Sequence, residues 1–173
     1  HALQAGKLVS AAFRVKGDLW DFPFYNARSS KDGEFRIAAR VEEARYAFAP
    51  GSPASAGRAA VASTWPTLAD VGVDVVLDRG TLTLANGRAR HGAIAFTGVN
   101  GVIRNLEGDG RMTLDAAARG PLAEMMRIVA TSPVNDWIGK ALATSTGSGN
   151  ADLKLNLDLP LMHLDTSTAK GSV

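Results

Sequence analysis

The chain has no cysteine in its 173 residues. That excludes disulfides, thiolate metal sites and a cysteine nucleophile. Histidine is scarce: it occurs at 1, 91 and 163, never at metal-ligand spacing. No apolar run approaches the roughly 18 residues that a membrane span requires. No signal-peptide pattern is present. A surplus of either charge is missing too, with 19 Lys and Arg against 17 Asp and Glu. That balance, without any dense basic run, argues against a nucleic-acid partner. Phosphate loops and dinucleotide fingerprints are absent. The "GSG" at 147–149 is no nucleophile elbow, because it stands between a helix and a strand in the wrong order. Asp74 and Asp78 share one face of one strand, which a solvated face explains. No enzyme, cofactor or metal is expected.

What the chain does have is alternation. Hydrophobic residues make up 46% and charged residues 21%, enough apolar material for a core. In "GNADLKLNLDLPL" (149–161), Leu153, Leu155, Leu157 and Leu159 point one way, and Asp152, Lys154, Asn156 and Asp158 the other. Similar patterns run over 8–17, 34–41, 72–78, 81–85, 88–97, 99–104 and 111–117. After "EE" (42–43) the apolar phase slips by one residue, which predicts a bulge or bend. "NG" at 86–87 predicts a two-residue hairpin turn. The Ala/Ser/Gly/Pro-rich stretch 49–64 reads as a loop. Beyond Gly120 the period changes. Leu122, Met125, Met126 and Val129 follow helical spacing, with Pro121 opening the helix, and a second helix is expected at 135–143. Trp20, Trp65 and Trp137 are expected to anchor packing. The fold class is mainly β, antiparallel, with two short helices near 121–143.

Almost every strand is apolar on one face only, so the sheet needs a cover. Eight strands of roughly 20 Å, about 4.8 Å apart, make a face of ~800 Å². Two ten-residue helices, each ~15 Å by ~10 Å, shield roughly 300 Å². The remainder requires either a closed sandwich or barrel, or a curled sheet that holds an apolar ligand. Alternation alone favours the closed sandwich, which would make the domain a scaffold or protein-docking module.

Three segments resemble the YhdP family, very large AsmA-like proteins of Gram-negative bacteria related to TamB. They are "FRVKGDLWDFPF" (13–24), "WPTLADVGVDVVLDRGTLTL" (65–84) and "SPVNDWIGKALATSTGSGNADLKLNLDLPL" (132–161), in the family's order. The loop before Trp65 is longer than the family pattern. The resemblance implies a curved antiparallel sheet, a β-groove or taco-like repeat with a hydrophobic interior. It implies a parent protein in the periplasm, anchored in the inner membrane, that moves phospholipid towards the outer membrane. It implies no catalytic residues.

On that reading the groove wall is Val73, Val75, Leu77, Leu82, Leu84, Ile94, Phe96, Leu153, Leu155, Leu157 and Leu159. The whole chain, 1–173, is expected to be one piece of a larger protein. Residues 8–118 supply groove strands, 120–143 a helical crossover, and 150–173 strands that begin the next repeat. The expected partners are phospholipid acyl chains, adjoining repeats and, through exposed strand edges, a second copy of the chain.

Overall fold

The computed structural model describes residues 3–22, 24, 33–47, 65–106, 108–138, 140, 145–160 and 168–172, with the side chains of Leu19, Trp137 and 168–172 left aside. Eight strands form one sheet: β1 (Leu3–Lys16), β2 (Glu34–Ala47), β3 (Thr67–Asp78), β4 (Thr81–His91), β5 (Ile94–Arg104), β6 (Arg111–Pro121), β7 (Asn150–Pro160) and β8 (Thr168–Ser172). Helices α1 (Leu122–Thr131) and α2 (Val134–Trp137) stand between β6 and β7. The strand order in space is the order in the chain, and every neighbouring pair is antiparallel. The sheet is curved and does not close, and β1 and β8 are its two edges. The closed sandwich is therefore not formed. All the described strands belong to this one sheet, and among the described residues no second sheet faces it.

Register links separate the two faces, because paired residues project to the same side. One row runs Phe13, Ile37, Leu77, Leu82, Ile103, Met112, Leu159 across β1 to β7. The next row runs Ala11, Ala39, Val75, Leu84, Gly101, Leu114, Leu157 across β1 to β7. The opposite face carries Arg14, Arg36, Asp78 and Thr81 in one row and Ser10, Arg40, Asp74 and Ala85 in another. Between those two rows run Ala12, Ala38, Val76, Thr83 and Val102, so period-two alternation yields one aliphatic face and one mixed face that carries the charges.

Each of β2 to β5 contains one extra residue. The register shifts fall at Glu43, Asp70, Asn86 and Gly98, whose φ angles are +53°, +51°, +52° and +58°. Together they form one band across the sheet. A bulge bends its strand and sharpens its twist, so the band is a physical source of the curvature. The β6–β7 pair has no such shift.

Glu43 is the bulge expected after the phase slip. The expected turn at Asn86–Gly87 is a second bulge instead. Asn86 takes the left-handed backbone that its short amide tolerates, but inside β4. The chain reverses six residues later at Gly92–Ala93, where Gly92 has φ +56°. The two strands read at 88–97 and 99–104 are accordingly the end of β4 and one continuous β5.

The strands are longer than the pattern suggests. β3 to β7 have 11 or 12 residues and β1 and β2 have 14. At about 3.3 Å per residue that is ~36–46 Å, and seven inter-strand steps add ~34 Å of width. The apolar face is therefore roughly 1,200 Å² rather than 800 Å². α1 has ten residues and α2 only four, so the described helices cover less of it too. The described part of the second expected helix is that one turn, and the rest of 135–143 is mostly outside the described residues. The loop at 49–64 lies outside them altogether.

At the other end, a 3-10 turn (Leu19–Asp21) leads into an aromatic group. Phe22 packs edge-on to Phe35 at 4.9 Å and to Phe24 at 6.0 Å between ring centres. Phe24 is buried, but Trp20 is 95% exposed and anchors nothing. Trp65 is half-buried.

Candidate functional site

The eleven residues expected to form a wall all project from the aliphatic face. Their burial differs. Val73, Val75, Leu77, Leu82, Leu84, Phe96, Leu153, Leu155 and Leu157 are half-buried. Ile94 and Leu159 are 1% exposed. Ile94 belongs to a small core with Ala118 and Met125 of α1, against which Phe96, Ile128, Ala151, Leu153 and Leu155 pack. Val73, Val75, Leu77, Leu82, Leu84 and Leu157 have register neighbours on the same face, and no second layer of described strands stands over them.

Pattern reading overlooked members of the same face. Phe13, Ile37, Ile103, Met112 and Leu114 lie in the same rows. Their signal was present in the alternation at 8–17, 34–41, 99–104 and 111–117. Register is what joins them to the others. A row of seven side chains about 4.8 Å apart extends ~29 Å. Each bilayer leaflet contributes about half of a ~30 Å hydrocarbon core, so the row is roughly two acyl chains long.

The charged face is braced at the bulge band. Arg40 donates to Glu42 at 2.6 and 2.8 Å and lies 3.1 Å from Asp74. Asn86 donates to Asp74 at 2.8 Å. Arg88 on β4 reaches Glu42 on β2 across β3. The crossing passes over Gly72, where a Cβ would stand 2.8 Å from both the Arg88 guanidinium and the Glu42 carboxylate. Hydrogen bonding from Arg40 holds the Glu42 carboxyl below its ordinary pKa, and the Asn86 amide does the same for Asp74. Arg111 forks onto Asp158 at 2.7 and 2.6 Å, and that bond lowers the Asp158 pKa. Arg40–Asp74, Asn86–Asp74 and Arg111–Asp158 tie neighbouring strands, and Arg88–Glu42 ties β4 to β2, all on the face opposite the aliphatic rows.

His91 Nδ1 lies 2.9 Å from the Thr67 carbonyl. His1 and His163 lie outside the described residues. Among the described residues, no three His, Asp or Glu side chains gather as a metal site. No described helix is long and apolar enough to cross a membrane.

These features define a class: an open, curved antiparallel meander with one continuous aliphatic face, which the described residues leave largely unroofed, and an opposite face that carries the charges. Within that class the chain belongs to the YhdP protein family, which matches it over residues 1–173. It is 23% identical over 172 residues to the intermembrane phospholipid transporter YhdP of Escherichia coli (strain K12). That match covers 99% of this chain and 12% of the relative's length. No solved structure matches.

Proposed function

We propose that this chain is a module of a periplasmic bridge-like protein that carries phospholipid between the inner and outer membranes, with the acyl chains lying along the aliphatic face. The observation that carries the reading is the face that the described residues leave unroofed: two rows of side chains, linked strand to strand, with no polar group to satisfy. The sheet satisfies its own backbone along the ladders. It offers the ligand only hydrocarbon, at about 0.8 kcal/mol per buried CH₂. Each step along a row exchanges one aliphatic contact for a similar one, so sliding meets low barriers. The head group stays in water at the open edge.

Strands before Gly120 form one stretch of wall, the helices cross over, and β7 and β8 carry the wall onward towards the next repeat. The parent protein is anchored in the inner membrane by a segment other than those described. The reading is supported by the YhdP relative, whose name states intermembrane phospholipid transport.

Native mass spectrometry after gentle purification tests it. The wild-type chain retains phospholipid. Leu84→Glu and Leu157→Glu, in the middle of the face, lose it while keeping the wild-type circular dichroism spectrum. A wild-type chain that holds no lipid, or variants that unfold outright, would favour a packed scaffold.

A further inference from the structure

Helix α1 rests on part of the proposed lipid path. Met125 is the one residue of α1 that is buried, and it packs with Ile94 and Ala118. Ala118 stands in register between Phe96 and Leu153, so this contact lies on the aliphatic face. Phe96, Leu153 and Leu155 pack against the same cluster. The helix therefore occupies ground that an acyl chain would need.

The helix is held by apolar contact, Met125 in the cluster and Ile128 packed against it, and by few polar bonds. Ten residues are too few to stay helical unaided. Pro121 at the N-cap makes no side-chain capping bond. One backbone bond, Leu122 N–H to the Gly149 carbonyl at 2.9 Å, continues the sheet ladder. One side-chain bond reaches across to the β4–β5 turn, where Glu124 Oε2 accepts the Ala93 N–H at 3.1 Å. The Glu124 side chain is only 21% exposed, and the turn leaves room for it: a Cβ on Gly92 would stand 2.5 Å from Glu124 Oε1. The carboxylate thus fits a turn built around it.

Replacing Met125 and Ile128 by the methylene groups of an acyl chain exchanges apolar contacts for apolar contacts. The balance then rests on the Glu124 bond. We propose that α1 is a displaceable strap over the aliphatic face. An acyl chain passing β5 to β7 lifts Met125 from Ala118, and the Glu124–Ala93 hydrogen bond sets how readily the strap opens. This rests on the phospholipid reading above.

The test places a photoreactive residue at Leu155, beside the strap, or at Leu84, clear of it, in the full chain mixed with phosphatidylethanolamine vesicles. Glu124→Ala should raise lipid labelling at 155 by roughly fivefold, the worth of one net hydrogen bond, and leave labelling at 84 unchanged. A Met125→Cys/Ala118→Cys pair, joined by a short thiol cross-linker in this cysteine-free chain, should abolish labelling at 155 alone. Equal labelling at 155 in the wild type, Glu124→Ala and the cross-linked pair would overturn the strap and leave the phospholipid reading standing. Absence of labelling at both positions would overturn both. If the cysteine pair does not fold, the Glu124→Ala comparison decides by itself.

Discussion

Truncation of Leu84 to alanine separates an open wall from a closed core. Leu84 lies mid-sheet, in register with Val75 on one side and Gly101 on the other, and it is half-buried. Leucine-to-alanine changes inside a packed core cost about 2–5 kcal/mol, because transfer energy and cavity terms add. Among the described residues no layer opposes Leu84, so its truncation leaves no enclosed cavity there. Only part of its transfer energy is at stake, about 1 kcal/mol. For a domain of this size that is a fall of roughly 2–4 °C in Tm. Ile94 is the internal reference. It is 1% exposed and enclosed by Ala118 and Met125. Ile94→Ala should cost about 3 kcal/mol, or ~6–12 °C.

The assay is urea and thermal unfolding of lipid-free protein, repeated with added phospholipid. Bound ligand raises the wild-type midpoint by linkage, and Leu84→Ala should lose part of that increment. A lipid-free Leu84→Ala as damaging as Ile94→Ala would mean that a hidden layer packs on the face, and the wall reasoning fails.

Two further outcomes test the bulge band. Gly87→Ala should destabilise the protein by about 1–3 kcal/mol through overpacking, since its Cβ would stand 2.7 Å from the Cβ and carbonyl oxygen of Val99. Faster amide exchange in β4 and β5 would locate the damage there. The carboxyls of Glu42 and Asp74 have folded pKa values below their ordinary ones. Their contribution is complete above the unfolded carboxylate range of about 4 and is lost as pH falls through the lower folded values. Glu42→Gln should therefore lower Tm at pH 7 and make its fall on acidification shallower. A variant curve parallel to that of the wild type would show that the brace adds nothing.

Much of this molecule was legible in local pattern. Leu153 to Leu159 share a face because side chains alternate along any extended strand, and that geometry needs no partner. The slip after Glu43 marked a bulge for the same reason, since one added residue inverts the alternation. Asn86–Gly87 misled because left-handed backbone suits a hairpin turn and a bulge equally well. Only the pairing of Leu84 with Gly101 and of Gly87 with Val99 tells them apart. Trp20 misled because size suggests burial, whereas position decides it.

By itself, then, the sequence determined which side chains stand together on each strand and that one side would be oily. Tertiary structure decided that Ile94 and Leu159 are enclosed while Leu84 and Leu157 are left half-open, that the bulges fall in one band, and that a helix lies over Ala118. The reason is physical. Alternation is set within a strand, while enclosure and bending depend on residues brought alongside from far away in the chain.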